Sequence, residues 1–185
     1  EPGQEMVAHA AARFYRVGAS ARTMNNKTKF LLVVSHVAVL AAGFAGGIYA
    51  LPILTAPPAP ESSMVEQLAA SSMFVATFSR DREDSDALHW GEGEVSIGPD
   101  VVAFVGELAP GPDYRLYFSP EFVETEADFN RLKPRMVEAG DVKTFKNFIV
   151  PLPDDVDPAE HSAVIIWCES FGQFITSGSY EQKNN

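Results

Sequence analysis

One thiol stands in the 185-residue chain, Cys168, within the stretch AVIIWCESFGQF over 163–174. A cysteine sulfur donates strongly to haem iron and other soft metals. A thiol without a partner can instead cycle as a redox group or bridge two copies by a disulfide. The competing reading is structural, because free cysteine is among the most buried residue types and packs as a small hydrophobe. With no second cysteine there is neither a CxxC pair nor a cysteine zinc cluster. His89, His161, Met64, Met73 and Met136 supply donor types for a copper site of two His, one Cys and an axial Met. Yet no His or Met follows Cys168, where such a site gathers its ligands, so copper ranks low. No GxSxG or HExxH motif marks a hydrolase. Asp113, in PGPDY, is either a ligand candidate or a turn-forming aspartate.

These residues need a scaffold, and the pattern around them is that of strands. Alternation along AVIIWC puts Ala163, Ile165 and Trp167 on one face and Val164, Ile166 and Cys168 on the other. Phe74–Phe78, Gly93–Ile97, Val101–Leu108, Tyr114–Ser119, Phe145–Leu152, Ala163–Glu169 and Gln173–Ser179 are short apolar runs. GPD, PGPD, SPE and LPDD punctuate them as turns do. Seven such strands predict an all-β sandwich or barrel-like domain over residues 73–182. One helix interrupts it: Thr125 followed by Asp128 forms a capping pair that opens EADFNRL, and Pro134 ends it.

Ahead of this domain, Phe30–Leu54 holds 25 residues without Asp, Glu, Lys or Arg. About 20 apolar residues cross a bilayer, whereas the apolar region of a signal peptide runs only about 7 to 15. The reading is therefore one N-terminal transmembrane anchor over 30–54. Lys27 and Lys29 precede the span and no basic residue follows until Arg80. The positive-inside rule then makes residues 1–29 a cytoplasmic tail and the β domain extracytoplasmic. His36 within the span is read as tolerated by local contacts, and the small pair Gly43 and Gly47 either as a face that packs two helices together or, equally, as a chance spacing. TAPPAPESS opens a Pro- and Ser-rich linker over 55–72, expected to be an extended spacer with a short helix or coil at its end. MNNKTKF resembles a natural bacterial start, with residues 1–23 an upstream tail. Five bases against two acids give residues 1–29 a charge of +3, which leaves −14 of the total −11 on the rest. That acidic body excludes nucleic acid as a partner, since phosphate binding rests on Lys and Arg.

GEGEVSIG, VVAFVGELAPGPDYRLYFS, FIVPLP and SAVIIWCESFGQFITSGSY together resemble the DM-thirteen domain, over about residues 73–180. The Trp167–Cys168 strand followed by Phe171–Gly172 is the most specific part, with Gly111–Asp113 and the glycine-led strand at Gly93 in support. The resemblance implies an electron-transfer domain whose cysteine acts as a free thiol or holds a prosthetic group such as haem. It thereby marks Cys168 as the redox or ligand candidate and Trp167, Asp113 and Gly111 as supporting cofactor-site positions. It also implies a redox partner protein. The resulting expectation is a redox accessory in the bacterial inner membrane, single-pass, N-terminus in the cytoplasm and β domain in the periplasm. The alternative is a non-redox binding or assembly module in which Cys168 is buried structure.

Overall fold

The computed structural model describes residues 24–183; most of the N-terminal tail, residues 1–23, lies outside them. Contacts divide the chain into two units after Gly43. The first unit, in its described part, is the beginning of helix α1 (Asn26–Thr55). Asn25 opens that helix by accepting the Thr28 amide at 2.8 Å. His36 Nδ1 lies 2.7 Å from the Leu32 carbonyl, so the imidazole is engaged within its own helix. At 1.5 Å per residue the 30 residues of α1 extend about 45 Å. That length and its apolar composition suffice to cross a membrane, a test that a signal sequence also passes.

The second unit begins at Phe44 with the remaining turns of α1 and continues into helix α2 (Ser62–Ala70). Eight strands follow: β1 (Phe74–Phe78), β2 (Gly91–Ile97), β3 (Val101–Leu108), β4 (Tyr114–Ser119), β5 (Val137–Val142), β6 (Phe148–Pro151), β7 (Ala163–Cys168) and β8 (Gln173–Gln182). Helix α3 (Glu126–Leu132) lies between β4 and β5, and Thr125 caps it by accepting the Asp128 amide at 3.1 Å. A 3-10 turn carrying Pro134 ends it.

Every ladder is antiparallel, in the order β5-β4-β7-β8-β1-β2-β3-β6. The sheet curls until its end strands β5 and β6 come alongside each other without a ladder between them. The result is a nearly closed barrel. Inward side chains alternate with outward ones, as a half-buried sheet requires. Phe78, Val95, Phe104, Leu116, Phe118, Val164, Ile166 and Cys168 belong to the interior. The curl needs a tight crossing at the Gly93–Gly106 pair on β2 and β3. A Cβ on Gly106 would lie 2.2 Å from the Glu92 carbonyl, and Gly93 has φ +145°, so neither position admits a side chain.

A second apolar cluster forms outside the barrel. Ile165, Trp167, Tyr117 and Phe174 point outward and are covered by Val123, Phe129 and Leu132. A bulge beside Trp167 sets Phe174 opposite that indole and lets Ile175 turn inward.

Seven strands were expected and eight are present; β5 is the addition. The stretch expected as spacer contains α2, which lies against β3 and β2 with Val65 fully buried. There the outward side chains Ala103 and Ser96 are small and buried, which lets the helix approach. Before α2, Pro57, Pro58 and Pro60 share a surface cleft with Gly140 of β5 and Ile149 of β6, along the open seam.

Candidate functional site

Cys168 ends β7 at one mouth of the barrel, opposite Tyr114 on β4 and Gln173 on β8. The period-2 pattern of the strand sends its sulfur inward, where the residue is 3% exposed. Trp167 therefore takes the other face. Its indole stacks on Phe129 with centroids 3.9 Å apart, on the outside of the sheet and away from the thiol.

Gly111 and Asp113 come to the thiol's side by strand pairing. They lie in the loop that leads into β4, and Tyr114 at its end donates its hydroxyl to the Ala109 carbonyl at 2.8 Å. A Cβ on Gly111 would stand 2.4 Å from that hydroxyl, so glycine lets the loop fold over the ring. The Asp113 carbonyl accepts the Glu169 amide at 2.9 Å. Its carboxylate accepts the Ser170 hydroxyl at 2.9 Å and pairs with Arg115 at 3.3 Å. Asp113 thus ties the loop before β4 to the turn that follows Cys168, the work of a turn-shaping aspartate.

A cavity of about 250 Å³ opens beside the sulfur, lined by Leu88, His89, Pro110, Gly111, Pro112, Tyr114, Phe171, Gln173 and Ile175, with Ala45, Ile48 and Tyr49 of α1 on its outer side. Burial pushes the Cys168 thiol up. The backbone amides of Phe171, Asp113 and Ser170 draw it partly back, and the Asp113 charge adds to the rise. The outcome is a protonated thiol at neutral pH, unlike the electropositive surroundings that create reactive thiolates.

The cavity does not fit a haem. The cavity is smaller than the roughly 300–1,000 Å³ typical of cofactor sites, and the sulfur is almost wholly enclosed. Among the described residues no group of three or more His, Cys, Asp or Glu side chains is placed to hold a metal ion. His161 packs on Phe118 before the start of β7, seven residues upstream of Cys168, and at about 3.3 Å per residue that is roughly 20 Å away. The copper donors counted in the sequence are therefore not assembled. His89 shares the cavity, with its Nδ1 3.0 Å from Asp86 Oδ2.

A polar cluster on the outer face was not foreseen. The Tyr117 hydroxyl lies 2.5 Å from Glu169 Oε1 and 3.1 Å from Glu138 Oε2, and Lys133 Nζ donates to both Glu169 oxygens at 2.6 and 2.8 Å. One hydroxyl proton serves one acceptor, and the shorter contact assigns it to Glu169. Burial pushes the Tyr117 phenol well up, and its hydrogen bond to Glu169 adds to that. Burial alone pushes the Glu169 carboxyl up, but Lys133 and Tyr117 carry the net shift down. These four side chains come from separate segments and meet only through strand register, so local patterning carries no signal for them.

Fold and site define an antiparallel barrel with a single thiol enclosed at one mouth. The family described as Electron transfer DM13 matches residues 77–180, more than half of the chain. The chain belongs to that family, and an electron-transfer role comes with it. Neither the curated proteins nor the solved structures contain a match.

Proposed function

We propose that the chain is a membrane-anchored electron-transfer accessory in which α1 is the anchor, the barrel stands outside the cytoplasm, and Cys168 is the redox group. In a bacterium this is the inner membrane with the barrel in the periplasm. The family's electron-transfer description and the cavity that opens onto the one thiol support the reading. Lys27 and Lys29 before the apolar segment support the orientation. The exchange is one electron and the thiol proton leaving Cys168 for a one-electron acceptor on a partner protein, with the reverse on reduction. Gly111 forms part of the cavity wall, Asp113 ties its loop to the turn after Cys168, and Trp167 fixes the strand from its other side.

A second reading has its own observation. The sulfur is 3% exposed and held protonated, which favours a binding module with an inert structural cysteine. Protein-film voltammetry on the full chain in detergent, with thiol labelling of the folded protein alongside, separates the two. A reversible wave absent from Cys168→Ala is the expected result. No wave, together with labelling only after denaturation, overturns the redox reading and leaves the binding module.

A further inference from the structure

The path of the chain into the barrel fixes which end of it faces the anchor. Only residues 56–61 separate the end of α1 from the start of α2, and six residues span at most about 20 Å. Asn147 holds them, with Nδ2 donating to the Pro60 carbonyl at 3.3 Å and to Ser62 Oγ at 3.0 Å. Asn147 stands just before β6, at the Cys168 mouth, because β6 begins opposite Phe104 and runs toward the far end. From there α2 travels away from the mouth. Lys183 Nζ donates to the Ala69 carbonyl at 2.7 Å, and the Met73 amide donates to the Ile97 carbonyl at 2.8 Å, both at the far end. The helix is thus a strut laid along the barrel, pinned by Val65. It lies ahead of residues 77–180, the part matched by the family.

The mouth so presented carries an apolar rim. Leu88 and Phe171 are 57% and 52% exposed, and both line the cavity that Ala45, Ile48 and Tyr49 of α1 also line. Tyr49 lies six residues before the end of α1, about 9 Å along the helix axis. That is the depth of the headgroup and acyl boundary, where tyrosine is enriched and amphipathic surfaces rest. Basic side chains there are each matched by a carboxylate: Lys143 is 3.3 Å from Asp141, Lys146 is 3.8 Å from Glu107 and Arg115 is 3.3 Å from Asp113, while Asp86, beside His89, adds a further carboxylate.

We propose, on the reading of α1 as an anchor, that the Cys168 mouth rests on the outer surface of the bilayer, with Leu88 and Phe171 in contact with lipid. Any reactant or partner group reaching the thiol then arrives from the membrane side. The rim has no excess of basic side chains, so the contact is apolar and gains nothing from anionic lipid.

The test uses the full chain in lipid vesicles. An environment-sensitive fluorophore is attached at Leu88→Cys or Phe171→Cys, and at Ala159→Cys as a far-end control, with each also prepared in a Cys168→Ala background to remove label on the native thiol. Both rim positions are exposed, so their variants retain the fold. The expected result is quenching of the rim labels by a nitroxide carried near the lipid headgroup, with several-fold protection from iodide relative to position 159, and at least as strongly in zwitterionic as in anionic vesicles. Rim labels as open to iodide as position 159, in a chain that withstands alkaline carbonate extraction, overturn this proposal alone. Release of the chain by carbonate overturns the anchor reading and this proposal with it.

Discussion

The enclosed thiol makes a quantitative statement about stability at alkaline pH. In the unfolded chain Cys168 titrates near its ordinary value of about 8.5. In the barrel, burial holds its pKa above that. Below about pH 8.5 both states keep the proton, and the group contributes no pH dependence. Above it the unfolded chain releases the proton while the folded chain retains it, so stability falls as pH rises, until pH passes the folded value. The limiting slope for one proton is about 1.4 kcal/mol per pH unit. At about pH 9.5 the loss is at most about 1.4 kcal/mol, set against the 5–15 kcal/mol that stabilises a typical domain. Tyr114, Tyr117 and Tyr180 are also pushed up by burial, but their unfolded forms titrate only near pH 10. The tyrosines therefore contribute little below about pH 9, and the difference between the native chain and Cys168→Ala removes their share above it. Urea unfolding of the native chain and of Cys168→Ala, in reductant and at steps between about pH 7.5 and pH 9.5, measures the effect. At neutral pH the variant is less stable by about 1 kcal/mol for the lost packing, and its stability changes less as pH rises, so the gap between the two proteins closes. Parallel pH profiles would refute the reasoning: they would mean that the thiol ionises as readily in the barrel as in the unfolded chain.

Two further substitutions probe the walls of the site. Phe129→Ala removes a fully buried ring stacked on Trp167 and should cost about 3–5 kcal/mol in urea unfolding, with loss of the near-ultraviolet signal of the indole. Gly111→Ala drives a methyl into the Tyr114 ring and should lower stability by about 1–3 kcal/mol in thermal unfolding; an unchanged midpoint would show that the loop before β4 adjusts freely.

What could be read without coordinates follows from the range of each interaction. The opposite faces of Trp167 and Cys168 follow from alternation within one strand, and α3 from its Thr125–Asp128 cap, both local features. β5 escaped because VEAGDV breaks the alternation. Leu116 pairs with Gly140 and Tyr117 with Glu138, so Ala139 between them is an extra residue and the inward set slips out of phase. α2 was expected only as a short helix or coil, because nine residues with one buried side chain, Val65, carry no signal for docking; what holds it on the barrel is tertiary, through Asn147 and Lys183. The cavity at Cys168 joins Leu88, Gly111, Tyr114 and Phe171, brought together by pairings dozens of residues apart. The family resemblance pointed to Cys168, Gly111, Asp113 and Trp167, but only the register shows that Cys168, Gly111 and Asp113 share one end of the barrel, while Trp167 lies on the face that alternation gave it.

The prolines at the seam bear on how such molecules coexist. An uncurled sheet edge is a template for another chain, because its free amides and carbonyls invite a further strand. β5 and β6 leave two such edges where the barrel fails to close. Pro57, Pro58 and Pro60 lie along that gap, and proline has no amide hydrogen to donate to a ladder. The segment covers the gap without being able to propagate it. On the reading of α1 as an anchor the molecules are concentrated in two dimensions and aligned alike, and this is a safeguard against stacking into fibres that β-branched residues in place of those prolines would weaken.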